Sequence, residues 1–128
     1  MFKVSAPHEM NETFARAFNT RSLNNLLDLY EAGAQLRVDE GERTLKGATE
    51  IGSELQSLLQ APGTMVSRNN FCIEHGDIAL LRADWALIDA DGNAVVSGSS
   101  AEVLRRQSDG SWLYVIDHAA GASLPRVA

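Results

Sequence analysis

Glu102 and Asp117 are the two residues of this chain best placed, by type and spacing, to do chemistry. Each stands within an apolar alternating run, Ala101-Glu102-Val103-Leu104 and Val115-Ile116-Asp117, and the runs are joined through Asp109-Gly110. Asp-Gly between apolar runs is a strong hairpin signal, because a tight type I′ turn needs positive φ at both central residues. A two-residue turn there sets Ser108 against Ser111, and counting outward brings Glu102 opposite Asp117. Cross-strand partners have Cβ atoms about 4.5–5.5 Å apart. Two acids that close in an apolar setting cannot both ionise cheaply, so one carboxyl is expected to keep its proton well above the ordinary range. One protonated and one ionised carboxyl make a general acid/base pair. The competing reading is structural: a β-bulge turns one acid to the opposite face, or Arg106, on the same face in this register, neutralises one of them.

The elements that must position the pair follow from the same counting. A second turn at Asp91-Gly92 sets Ala90 against Asn93, so Ile78–Ile88, Val95–Gln107 and Trp112–His118 read as three antiparallel strands, preceded by a fourth from about Thr64 to Glu74. In this register one face carries Leu81, Ala83, Trp85 and Leu87, then Ser100, Glu102, Leu104 and Arg106, then Leu113, Val115 and Asp117. The other face carries Arg82, Asp84, Val103, Arg105, Trp112, Tyr114, Ile116 and His118. Before the sheet the apolar period changes to that of helices. Ser5 and Pro7 open a helix with Met10, Phe14, Ala17 and Phe18 along one stripe. Ser22 caps a second, with Leu23, Leu26, Leu27 and Tyr30 inward and Gly33 at its end. Short strands at 34–38 and Arg43–Leu45 flank the turn Asp39-Glu40-Gly41-Glu42. A third helix opens at Gly47, with Glu50 placed to reach back to the free amides, buries Ile51, Leu55, Leu58 and Leu59, and stops at Pro62-Gly63. Helices segregated before an antiparallel sheet define an α+β domain spanning 1–128, with the helices on one sheet face. Phe14, Phe18, Val38, Leu55, Leu81, Trp85 and Val115 are the expected lining of a pocket between them.

Bulk properties narrow the function classes. The 128 residues carry a net charge of −6, and no basic cluster exceeds Arg105-Arg106, so a nucleic-acid surface is not expected. No apolar run approaches the roughly 18–20 residues of a membrane span, and Met1-Phe2-Lys3-Val4-Ser5 lacks a signal-peptide core; the expectation is a cytoplasmic protein. Cys72 is the single cysteine, which excludes an internal disulfide, and its neighbours Phe71 and Ile73 predict an inert thiol. His8, His75 and His118 are too scattered for a metal site, and no cofactor motif is present. His118, next to Asp117 on a strand, points to the opposite face and reads as a structural or interface residue.

Together these segments resemble the cone-shaped α+β superfamily of nuclear transport factor 2-like, SnoaL-like and ketosteroid-isomerase-like domains. The resemblance runs through Phe14–Asn19, Leu23–Tyr30 with Glu31-Ala32-Gly33-Ala34, Gly47–Ile51, Gly76–Ala79, Glu102–Arg106 and Gly110–His118. It implies a sheet curled into a cone, helices closing its mouth, an apolar pocket for a small molecule and homodimerisation through the outer sheet face. The steroid-isomerase branch uses a first-helix tyrosine where this chain has Phe14, a base aspartate where it has Val38, and a second acid at the position of Glu102, which alone keeps its carboxyl group. Two functions are therefore expected of the fold: proton-transfer chemistry on a small apolar substrate by Glu102 and Asp117, or a non-catalytic association module. An open cavity with a polar base favours the first, and an interior filled by Phe14, Trp85 and Leu55 the second.

Overall fold

In the computed structural model, residues 2–38 and 43–124 are described; the turn expected at Asp39-Glu40-Gly41-Glu42 lies outside them. A 3₁₀ turn, Pro7–Glu9, leads into α1 (Met10–Asn19) and α2 (Leu23–Leu27). Then come β1 (Tyr30–Arg37), β2 (Leu45–Lys46), α3 (Gly47–Leu58), β3 (Thr64–His75), β4 (Ile78–Ile88), β5 (Ala94–Ser99), β6 (Ala101–Arg106) and β7 (Trp112–His118). The strands form one curved sheet in the order β2-β1-β7-β6-β4-β3, with β5 paired to β4. The α+β class expected from the sequence is the one observed. All pairings are antiparallel except β1 with β7, which is parallel.

Both Asp-Gly turns make hairpins, but not the two-residue kind. Gln107 N–H donates to Ser111 O at 2.7 Å, and Gly110 alone of the turn residues has positive φ, +86°. This is a three-residue loop with glycine in the left-handed position. The pairs nearest the turn are Arg106 with Trp112 and Leu104 with Tyr114, one step away from the expected register. A bulge at Val115 then absorbs the extra residue, and from Val103–Ile116 onward the expected register returns, with Glu102 opposite Asp117. The consequence for the faces is a correction: Trp112 and Tyr114 point inward and are buried, whereas Leu113 and Val115 are only half-buried. The Asp91-Gly92 loop behaves in the same way, with an irregularity between Leu87 and Ile88 restoring the register that carries Leu81 to Glu102.

Three further expectations change. Ser5 does not cap the first helix; Ala6 occupies that position and its N–H donates to Glu9 Oε1 at 3.2 Å. The second helix ends at Leu27, and Tyr30 begins a strand, because pairing with β7 overrides the helical period. Tyr114 N–H donates to Leu29 O at 2.8 Å, and Gly33, with φ +80°, sits in the irregular stretch between Tyr30 and Gln35 rather than ending a helix. The strand expected from Val95 to Gln107 is broken at Ser100, whose hydroxyl accepts from Ala83 N–H at 3.2 Å while its own N–H donates to Ala83 O at 2.8 Å. A side-chain oxygen thus stands in for a backbone carbonyl where the strand is interrupted.

Helices α1 and α3 cover the inner face. Asn69 Nδ2 donates to His8 O at 2.7 Å, and Asn19 Oδ1 and Nδ2 pair with Met65 N–H and O at 2.8 and 3.1 Å, which fixes α1 along β3 at both ends. The guanidinium of Arg21 donates to the carbonyls of Leu59 (3.0 Å), Ala61 (2.5 Å) and Gly63, closing the C-terminal end of α3, and stacks 4.5 Å from the Phe18 ring. At the other end of α3, Glu50 Oε1 accepts from Lys46 N–H at 3.1 Å, the capping contact the sequence predicts. Among the described residues no helix is long and apolar enough to cross a membrane.

Candidate functional site

Between α1, α3 and the concave sheet face lies an open cavity of about 430 Å³. Its wall is apolar over Phe14, Leu36, Val38, Leu55, Leu58 and Trp85, and polar over Asn11, Tyr30, Ser100, Glu102, Tyr114 and Asp117. The polar group is buried, while Ser57 and Val96 on the same wall are exposed, so the carboxyl groups stand at the inner end and those residues at the mouth. Of the residues expected to line a pocket, Phe14, Val38, Leu55 and Trp85 are on this wall. Phe18 and Leu81 are instead fully buried core residues, and Val115, displaced by its own bulge, is absent from the wall.

Glu102 is 2% exposed and Asp117 9%, side by side on β6 and β7. Arg106, the neutralising partner offered by the competing structural reading, is elsewhere: its guanidinium pairs with Asp77 at the surface and lies 5.9 Å from the Trp112 ring. The acids are held by neutral donors instead. Asn11 Nδ2 donates to Glu102 Oε1 at 2.7 Å and to Asn69 Oδ1 at 3.0 Å, and Tyr114 O–H donates to Asn11 Oδ1 at 2.8 Å. Tyr30 O–H donates to Asp117 Oδ2 at 2.5 Å. The rings of Tyr30 and Tyr114 are 5.0 Å apart, and Phe14 meets Tyr114 edge-on at 6.0 Å.

Burial, then the charge of Asp117, pushes the Glu102 carboxyl up to about 8, against the contrary pull of Ser100 and Asn11. Burial raises Asp117 to about 6, and the Tyr30 hydroxyl holds it from rising further. Burial first and Asp117 next push both phenols well above their ordinary range, so both remain donors. Both acids are thus pushed upward, and near neutrality the pair, taken as a unit, favours holding one proton between its two carboxyl groups. An ionised acceptor beside a protonated donor, facing an apolar cavity, can take a proton from one atom of a ligand and give one to another.

Sequence reasoning missed Asn11, Tyr30 and Tyr114 as site residues. Asn11 was within reach, since Asn11, Phe14 and Phe18 share one face at i, i+3, i+7. Tyr30 was hidden by the helical period and Tyr114 by the Val115 bulge. Phe14 brings no hydroxyl to the cavity; the phenols on its wall come from the strands, Tyr30 on β1 and Tyr114 on β7. Cys72 is half-buried and its thiol is pushed up by burial, then by Glu74. The Nδ1 of His118 accepts from Ala120 N–H at 3.2 Å. Among the described residues no three histidine, cysteine or acidic side chains converge on a possible metal position.

No family model and no curated protein sequence matches this chain. Solved structures do. A protein from Thiobacillus denitrificans ascribed to the association domains of calcium/calmodulin-dependent protein kinase type II superposes with a TM-score of 0.78 at 22% identity, covering 94% of this chain and 98% of the other. A cystatin-like domain of unknown function from Nostoc punctiforme gives 0.73 at 16% identity, with 88% and 73% covered. A nuclear transport factor 2-like protein of unknown function from Pseudomonas putida gives 0.69 at 18%, with 88% and 81% covered. The chain therefore has the cystatin-like, nuclear transport factor 2-like fold, and likeness at this identity carries fold alone.

Proposed function

We propose that this chain binds a small, largely apolar molecule in its cavity and catalyses proton transfer on it, with Asp117 as base and Glu102 as acid. The observation that carries this reading is the pair itself, two buried carboxyl groups side by side at the inner end of an open apolar cavity. The contacts from Tyr30 and Asn11 both favour the ionised form, and at Glu102 burial and then the charge of Asp117 outweigh them, which sets the two acids apart. That asymmetry separates an acid/base couple from two equivalent carboxylates. Incubation in D₂O with a panel of small ketones and other carbon acids, followed by mass spectrometry, tests it. Deuterium incorporation above buffer, abolished in Asp117→Asn and Glu102→Gln, is the expected result. Incorporation equal in the variants and the parent protein refutes the assignment.

A second reading, homodimerisation through the outer sheet face as an association module, is favoured by one specific feature. Ile73, Leu80, Val103 and Ile116 are successive cross-strand partners across β3, β4, β6 and β7, forming an apolar row. Ile73, Leu80 and Ile116 are 57%, 45% and 47% exposed. Such a row suits a subunit interface. Sedimentation velocity is expected to give a dimer that Leu80→Glu converts to a monomer; a parent protein monomeric at high concentration refutes it.

A further inference from the structure

We propose that the occupant of this cavity is a small organic cation: an amine whose ammonium group sits against Glu102 and Asp117 and whose apolar body lies along Phe14, Leu55 and Trp85. The inference rests on reading the cavity as a ligand site, but not on the reaction assigned to it: with an ammonium bound both carboxyl groups are ionised, and Glu102 no longer serves as the acid. The charge of the wall carries it. Three carboxyl groups line the cavity: Glu54 from α3, which is partly exposed and lies 3.9 Å from the Arg43 guanidinium, and Glu102 from β6 and Asp117 from β7, beside which, among the described residues, no lysine, arginine or histidine lines the wall. The other titratable wall groups are the phenols of Tyr30 on β1 and Tyr114 on β7, which burial and the acids keep neutral. Helix α1 contributes Asn11 and Phe14, β3 Met65 and Ser67, and β4 Trp85, all uncharged. Arg106 is held away by Asp77.

A buried carboxylate without a counter-ion is costly, and neutral hydrogen bonds offset only part of that cost. A ligand cation supplies the missing charge, whereas an anion meets the same wall repulsively. Ammonium is donor-only and carboxylate acceptor-only, so the two satisfy each other without rearrangement of the Tyr30 and Asn11 contacts. Phe14, Tyr30, Trp85 and Tyr114 bring four aromatic rings to the wall, and ring faces attract cations. Neutral carbonyl ligands could accept a hydrogen bond from Glu102, but they would leave the charge of Asp117 uncompensated.

The two possibilities have opposite pH signatures. An ammonium group favours the doubly ionised pair, so its binding expels the proton held by Glu102 and tightens as pH rises, until the amine itself deprotonates. A ligand that accepts from protonated Glu102 binds more weakly as pH rises. Calorimetric titration with benzylamine and with benzyl alcohol, alike in shape and different in charge, separates them. Benzylamine is expected to bind roughly ten- to a hundredfold tighter at about pH 8, with proton release seen as a heat that depends on the buffer. Asp117→Asn should bring the two affinities close together. Glu102→Gln should keep the preference and lose the proton release. Benzyl alcohol binding as tightly as benzylamine, or amine affinity that falls with rising pH, overturns the cation and leaves the proton-transfer reading in place. Failure of both probes to bind, with unchanged tryptophan emission, overturns both. Amine binding without deuterium incorporation in any carbon acid removes the reaction and leaves the cation.

Discussion

Replacing Glu102 by Gln should make the protein more stable near neutral pH, and by an amount that pH controls. Glu102 has an ordinary value of 4.5 and is held at about 8 in the fold. Below 4.5 its carboxyl is protonated in both states and costs nothing. As pH rises through the interval to about 8, the unfolded chain releases the proton and the fold keeps it, so stability falls. At about 1.4 kcal/mol per pH unit the loss reaches ~3 kcal/mol by pH 7. Asp117 acts with the same sign from 3.8 to about 6, so the parent protein should lose stability steeply at first and then at half that slope. Gln at position 102 keeps an acceptor for Asn11 and offers a donor toward Asp117, but it does not titrate. The variant should therefore match the parent at about pH 4.5, exceed it by ~3 kcal/mol at pH 7, and melt roughly 10 °C higher there. Urea unfolding followed by tryptophan fluorescence at several pH values measures this directly. Parallel stability curves for parent and variant between pH 6 and 8 would refute the raised titration of Glu102, whatever the variant's absolute stability.

Tyr30→Phe removes the donor that holds Asp117 ionised. Asp117 should then titrate higher in a carboxyl NMR experiment, with a loss of about 1–3 kcal/mol at neutral pH; an unmoved titration refutes the contact. Gly98→Ala places a methyl 3.0 Å from the Trp85 indole, which cannot swing aside freely because its Nε1–H donates to Ala119 O at 2.7 Å. A loss of about 1–3 kcal/mol and a changed tryptophan emission are expected. Arg21→Ala frees three carbonyls at the end of α3, and with them the tie between the first and third helices. Chemical denaturation should show a loss of about 1–3 kcal/mol, and an unchanged midpoint would mean that water replaces the guanidinium without cost.

Much of the frame was legible because alternation and helical periodicity report burial, and burial is what builds this sheet and its covering helices. Leu81, Ala83, Trp85 and Leu87 face inward as counted, and Glu102 meets Asp117. That second agreement came through two departures that cancel, a longer loop at Asp109-Gly110 and a bulge at Val115. Neither departure is written in residue type alone, since Asp-Gly serves two-residue and three-residue loops alike. Residues between the two irregularities were consequently assigned to the wrong face, and Tyr114 was lost from the site. Tyr30 was lost for a different reason. A leucine-rich run of helical period is also compatible with a one-turn helix followed by a strand, and only the tertiary partner β7 decides between them. Arg106 faltered on distance: sharing a face with the acids did not bring it near them, because Asp77 offered a closer charge.

The break at Ser100 divides the ribbon into two parts with separate obligations. Beyond it, β5 is bonded to β4 and to the turn near Ser123, where Ala122 N–H donates to Ser99 O at 3.0 Å and Ser99 N–H to the Ser123 hydroxyl at 2.8 Å. Before it, β6 is locked between β4 and β7 and carries Glu102. Val96 at the cavity rim thus belongs to one part and the acid to the other. Under the proposed function, substitutions along β5 would reshape what the cavity admits without moving Glu102, so selectivity and reactivity would be free to evolve on separate segments of chain.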